Sequence, residues 1–327
     1  MGSENDLGLL WETRLASLDF QFGPVTLGRV QFKGLTLVSS PFAIEQNFKI
    51  PLDLALSSGC EAVVVQAHPV DKDYLAIGIE NHALRYTTRY YSRFVIDLKG
   101  SFSEYLAKFS KKSRHELQRT MRRFSEAGGG TLDMREYRSA SEIMTFRDIA
   151  IAISIRSYKN DIGWGFEQGQ NFARQLQIEA RMGALRGSVL MLSGEPAAYG
   201  LCRIEKDIVV YKYTGYADKF ARRSPGKVLL YLMLEGLFAE GKHRLFDFDG
   251  TDYFAYKEFF ATRAIPCRRV IWFQPTIRNV AIGFAHWIIT AAWRVAAEVR
   301  RSLTLRARGW ISARELAGMP KQRSQPR

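Results

Sequence analysis

Residues 208–257 constrain the fold more than any other stretch, because they read as strand, turn, helix, strand and loop in unbroken succession. The opening run IVVYKY at 208–213 is β-branched and aromatic, the composition that suits a pleated, buried strand. It passes through Thr214, Gly215 and Tyr216 into the basic turn RRSPGK at 222–227. Ser224 suits an N-cap, and Pro225 suits the first helical position, where a missing N–H costs nothing. Val228, Leu229, Leu232, Met233, Leu237 and Phe238 then recur at helical spacing as far as Gly241. A short strand at 244–248 exits into Asp249, Gly250, Thr251 and Asp252.

Such a crossover directs the unpaired N–H groups of a helix start, and the positive end of its dipole, at whatever occupies the preceding loop. With Arg222, Arg223, Ser224, Gly226 and Lys227 around that end, phosphate is the expected ligand; a plain helix start with solvated arginines has the same local sequence.

The neighbourhood carries a resemblance. Arg223-x-x-Gly226-x-Val228 resembles the R/Q-x-x-G-x-G/A pyrophosphate loop of the GNAT superfamily of N-acyltransferases, with Val228 where the superfamily prefers Gly or Ala. The longer run GYADKFARRSPGKVLLYLMLEGLFAEGKHRLFDFDGTDYFAYKEFF is similar to the bacterial CelD-like branch, whose members tend to carry a tyrosine-rich strand, an SPG helix start, DF, a glycine and YK. The resemblance is partial over 94–124 and covers residues 94–273 in all.

At 327 residues the chain accommodates two domains, and 46% hydrophobic content is ordinary for a chain that buries a core. Cys60, Cys202 and Cys267 have no C-x-x-C spacing, and the five histidines have no H-E-x-x-H pattern, so neither a disulfide framework nor a metal site is expected. Glu4 and Asp6 stand where a secretory signal would be apolar, which makes the cytoplasm the expected compartment. The net charge of +14 is uneven: residues 276–327 hold ten Lys/Arg against two Glu, which is +8, leaving +6 for the rest. Apolar residues at helical spacing from Ile277 to Val299 make this tail an amphipathic helix. Three partners suit it: an anionic membrane surface along 276–308, the N-terminal domain, or nucleic acid.

In chain order, 25–30 and 35–38 read as strands paired around Phe32, Lys33 and Gly34, followed by a helix at 52–57 and strands at 62–66 and 93–98. Ser101 with Glu104 forms a capping box that opens a helix to about residue 126. Its outer face carries Lys108, Lys111, Lys112, Arg114, Arg119, Arg122 and Arg123, either a solvated face or a patch for an acidic partner. Ala127 and three glycines end it, dividing the chain into an N-terminal α/β domain at 1–128, a second domain at 129–275 and the tail at 276–327. A strand at 131–137, a capping box of Ser139 and Glu142 and a helix lead to a loop with Trp164 between glycines, the kind of loop that lines a site. A helix at 168–182, strands at 185–192 and 197–203 and a last strand at 269–273 complete a mixed α/β (α+β) pattern.

The resemblance implies a GNAT-like fold, with two GNAT-like halves as in the related Fem peptidyltransferases, and direct attack of an amine on a thioester carbonyl. The donor would be acyl-CoA or another acyl-phosphopantetheine such as an acyl carrier protein, and the acceptor a small-molecule or glycan amine in cell-envelope or exopolysaccharide metabolism. The pantetheine would lie against Tyr213 and Thr214, and the pyrophosphate on the N–H groups of Ser224, Gly226 and Lys227 beside Arg222 and Arg223. Asp249, then Asp247, are the expected bases, at the end of a sheet strand where partial burial would raise a carboxyl pKa. Lys257, at the YK position, would stabilise transition-state charge, and Tyr213, Tyr216 or Tyr256 would protonate the leaving thiolate. Trp164, Tyr216, Tyr256 and Arg114 are expected against substrate. Two other readings stand beside this one: aminoacyl transfer from a charged tRNA, as the Fem likeness allows, and a non-catalytic binding protein tethered at the envelope.

Overall fold

The computed structural model describes residues 3–4, 10–43, 50–70, 75–155, 165–250 and 254–317, with side chains described from Leu10 to Arg300. The first half opens with β1 (Ser3–Glu4), β2 (Leu10–Phe22) and β3 (Val25–Leu37), followed by α1 (Leu52–Ser57) and β4 (Ala62–Pro69). Then come β5 (Ile77–Glu80), β6 (Ala83–Asp97), α2 (Phe102–Ala107), α3 (Lys111–Ala127), β7 (Asp133–Tyr137), α4 (Ala140–Ile155) and α5 (Gln170–Arg181). The chain continues through β8 (Leu185–Leu192), β9 (Glu195–Glu205), β10 (Ile208–Tyr216), α6 (Pro225–Glu240), β11 (Leu245–Asp247), α7 (Ala255–Phe260), β12 (Arg263–Phe273) and α8 (Ile277–Ala317).

One sheet runs through the molecule in the order β1-β2-β3-β4-β12-β6-β11-β10-β9-β8-β7, with β5 paired to β6. Its two ends repeat one plan. An antiparallel β1-β2-β3 meander crosses over through α1 to β4, parallel to β3; an antiparallel β8-β9-β10 meander crosses over through α6 to β11, parallel to β10. The crossover helix has six residues in the first half and sixteen in the second. Both halves therefore share a plan, and the second has the long helix.

The expected boundary at residue 128 ends a helix without dividing the core. β12, assigned to the second domain, pairs with β4 and β6 of the first. One apolar cluster joins Phe94, Ile96, Tyr105, Leu117 and Phe124 to Leu190, Val209, Leu229, Met233 and Phe246. Each such side chain contributes about 1.5–3 kcal/mol when fully buried, so α2 and α3 are held by the second half.

Two local expectations change. Lys33 and Gly34 form no turn: β3 is continuous, and Gly34 is there because a Cβ would lie 2.9 Å from Val64 Cγ2 of the neighbouring strand. The turn is at Gly23, whose φ of +65° suits glycine. The single basic helix is two, because Ser110 caps α3 through the amide of Ser113. Both capping boxes form as expected, at Ser101 with Glu104 and at Ser139 with Glu142.

Candidate active site

Strand β11 lies between β10, parallel to it, and β6, antiparallel to it, and its exit is the centre of the site. Alternation along the strand sends Phe246 and Phe248 into the core beneath α6 and sends Asp247 to the other face. There Arg93 of β6 grips Asp247 with both forks, Nε to Oδ1 at 2.8 Å and Nη2 to Oδ2 at 2.7 Å. The Ser40 hydroxyl donates to Oδ2 at 2.8 Å, and the Asp249 amide donates to Oδ1 at 3.0 Å. Asp247 is fully buried, so these four bonds compensate a charge that burial alone would make very costly.

Asp249 stands one step outward, with Oδ1 2.8 Å from Arg93 Nη2 and Oδ2 2.8 Å from Lys212 Nζ. Burial works to raise its carboxyl, but Lys212 and Arg93 outweigh burial and hold it well below the usual carboxylate range. The expectation of a raised, basic Asp249 is therefore corrected: two cations occupy it. Its backbone is left-handed, with φ 48°, as is that of Ser224, with φ 53°. The other non-glycine residues of positive φ, Asn81, His82, Ser193 and Lys206, sit in hairpin turns between consecutive strands. Strain outside hairpins thus falls at the two places where the sequence places chemistry.

A cleft of about 740 Å³ opens above this pair, lined from the first half by Arg14, Ser39 and Gln66, from the second by Phe172, Glu179, Tyr213 and Gly250, and by Arg269 of β12. Five cations line it, Arg14, Arg93, Arg203, Lys212 and Arg269, against three carboxylates, Glu167, Glu179 and Asp249. Lys212 faces the cleft by alternation from Val210, and Tyr213 joins it there because β10 has a register shift against β9 between Tyr211 and Tyr213. Past Val210, which pairs with Asp247, β10 runs on to Tyr216 with no strand on its β11 side among the described residues. Tyr213 lines the cleft between Phe166 and Phe172, and burial pushes its phenol up to about 12, so it keeps its proton at neutral pH.

On the opposite face, Glu116, Thr120, Arg123 and Glu126 of α3 meet Arg222, Arg223 and Ser224 at the start of α6 around a second cleft of about 460 Å³, three arginines against two carboxylates. Two basic features far apart in sequence thus converge on one helix N-terminus. The amides of Ser224 and Lys227 donate to the Ala221 and Ser224 carbonyls, so they are not the open donors the sequence suggested. Gly226 donates to no backbone oxygen among the described residues outside its helix. Ser224 accepts no side-chain cap bond. Lys227 lies with its ammonium over the Phe259 ring.

The remaining expected residues are placed as follows. Lys257 is buried behind the cleft, where its Nζ donates to the Asp249 carbonyl at 2.7 Å and fixes the exit loop. Tyr216 and Tyr256 pack against the core beneath α6, and Thr214 accepts from the Tyr211 hydroxyl at 2.8 Å. Arg114 is on α3 and lines neither cleft. Trp164, with Thr251 and Asp252, lies outside the described residues. Sequence reasoning missed Arg93, Lys212, Ser40 and the cleft arginines. Lys212 had a signal, a lone cation inside an otherwise apolar strand.

Residues 111–258 match the model of the acetyltransferase (GNAT) domain. The chain carries a GNAT-type acyltransferase domain. A structure described as the C-terminal domain of a lysylphosphatidylglycerol synthetase from Agrobacterium fabrum superposes with a TM-score of 0.50 at 12% identity, covering 88% of each chain. At that identity the likeness speaks for the GNAT fold alone. FemX follows at 0.48 and 12% identity, over 84% of this chain and 90% of that one, and L-PGS from Bacillus licheniformis at 0.47 and 14%, over 85% and 89%. No curated protein matches the chain by sequence. No group of His, Cys, Asp and Glu able to hold a metal ion occurs among the described residues.

Proposed function

We propose that this acyltransferase moves an acyl group from a phosphopantetheine thioester to an amine. The observation that carries the reading is the parting of β10 from β11 past Val210, between an arginine-lined cleft at the start of α6 on one face and the large cleft on the other. The donor's phosphates would rest with Arg123, Arg222 and Arg223, and its arm would fill the gap. A main-chain N–H of β10 past Val210, beyond the register shared with β11, would polarise the thioester carbonyl. The amine would arrive from the large cleft, forming the C–N bond as the C–S bond breaks, with the amine proton passing to solvent and the thiolate taking one up.

Arg93 and Lys212 hold Asp249 in place, and Lys257 holds the loop behind it, so these residues position the acceptor side. The surplus of cations in the cleft suits an acceptor that carries an anionic group beside its amine. A glycan-borne amine, as the likeness to the CelD-like branch implies, fits the same opening.

A second reading is favoured by Lys111, Lys112 and Arg114, cations without a partner among the described residues, which continue along α3 away from the arginine cleft. They suit a donor carried on a larger polyanion such as charged tRNA. Isothermal titration with coenzyme A and acyl-CoAs, beside an Arg222→Ala/Arg223→Ala variant, tests the first reading. Micromolar-order binding that weakens about tenfold or more in the variant supports it. No binding by the wild-type chain, with turnover abolished by ribonuclease, sinks it in favour of the second.

A further inference from the structure

Helix α8 is apolar on two opposite faces, and the sheet covers one of them. On the inner face His286 meets Phe20 edge to face and lies 2.5 Å from the Tyr86 hydroxyl, while Trp293 packs on Phe22. Val280 and Ile282 join the cluster around Phe32 and Phe273. On the outer face Ile277, Phe284, Trp287, Ile288, Val295 and Val299 are 91%, 42%, 39%, 55%, 65% and 53% exposed. Steps of seven and four along 277, 284, 288, 295 and 299 put five of these on one stripe, roughly 33 Å long at 1.5 Å per residue. A helix apolar all round needs a second apolar partner.

We infer that this outer face lies in the surface of an anionic lipid bilayer. Residues 277–300 are long and apolar enough to cross a membrane by length and composition, with a hydropathy of 1.4. The inner face, however, is pinned along the sheet by the His286 and Trp293 contacts, so the helix can present only its outer side, parallel to the surface. Charge selects the occupant. From residue 276 onward the chain has ten Lys/Arg and two Glu, and Arg294 borders the stripe. A second copy seated on the same stripe would set like charge against like, whereas anionic headgroups attract it. The large cleft is on the other face of the sheet, lined by Leu37 and Val65, whereas Leu18 and Val64 face α8, so docking leaves it open.

Flotation of the full chain with phosphatidylcholine vesicles, with and without phosphatidylglycerol, tests this. The wild-type chain is expected to float with the anionic vesicles only, and less so at high salt. A Phe284→Glu/Ile288→Glu variant, altered at exposed positions and unchanged in melting temperature, is expected to partition roughly a hundredfold more weakly. Arg294→Glu/Arg300→Glu is expected to lose the preference for anionic lipid. Failure of the wild-type chain to float with either vesicle overturns the proposal. So does a concentration-dependent dimer that Phe284→Glu/Ile288→Glu abolishes while vesicle binding is untouched, which would give the stripe to a second copy.

Discussion

Replacing Arg93 by methionine isolates what holds the centre of the molecule together. Methionine replaces the aliphatic stem and removes every donor, so Asp247 loses the two bonds at 2.8 and 2.7 Å and Asp249 loses one at 2.8 Å. Arg93 is 5% exposed and Asp247 is 0% exposed, so the carboxylate left behind is shielded from bulk solvent. Breaking a buried pair by removing one partner costs about 3–5 kcal/mol. At about 2–4 °C per kcal/mol for a chain of this size, thermal unfolding should fall by about 10 °C. The companion double variant, Arg93→Met/Asp247→Leu, removes both charges and should recover about 2 kcal/mol or more relative to the single change. Lys212 still pairs Asp249 in both. Urea or thermal unfolding of the two singles and the double, read as a double-mutant cycle, decides it. If Arg93→Met stays within about 1 kcal/mol of wild type, or the double costs the sum of the singles, the pair is not the brace described.

The other predictions are more local. Because the folded Asp249 carboxyl is depressed, its contribution to stability is full above the unfolded pKa of about 3.9 and is lost as pH falls toward the native value; Asp249→Asn should therefore be less stable than wild type at neutral pH and converge with it in acid melts. Lys212→Met frees one oxygen of Asp249 and removes a cation from the cleft, so acyl transfer should fall about tenfold or more while coenzyme A affinity, set on the other face, stays unchanged. Gly34→Ala should cost about 1–3 kcal/mol because its Cβ meets Val64 at 2.9 Å, and Val64→Ala in the same chain should restore part of it; an unchanged melting temperature would refute the close approach.

The course of the chain from 208 to 248 was legible because it depends on local signals: β-branched runs, a proline at the first helical position and a glycine at the helix end. The exposed face of α3 was legible as charge, and α8 as apolar residues at helical spacing. What sequence could not supply were partners distant in the chain. Arg93 and Asp247 are brought together by an antiparallel pair that places Val95 beside Asp247, and Ser40 reaches the same carboxylate from the loop after β3. No periodicity announces such a meeting. The turn misplaced at Gly34 has a related cause: glycine marks both tight turns and close strand approaches, and only the neighbouring Val64 distinguishes them. The convergence of Arg123 with Arg222 and Arg223 likewise needed the packing of α3 on α6.

The identity of the base is where sequence and geometry pull hardest against each other. A carboxylate at a strand end beside a cleft reads as a general base, and general bases work best when their pKa is near the working pH. Asp249 has the position, but Arg93 and Lys212 each take one of its oxygens and push its affinity for a proton the wrong way. A group already ionised across the neutral range cannot produce a protonation step there. Its carboxyl carbon, followed by NMR in protein made with isotope-labelled aspartate and assigned with Asp249→Asn, should therefore show no titration between about pH 5 and about pH 8. Titration within that window would mean that bulk water or a bound acceptor loosens the clamp, and would return Asp249 to the role of base. Its absence leaves the amine to shed its proton to solvent, and Asp249 as the anchor that holds Lys212 and the strained exit loop of β11 in place.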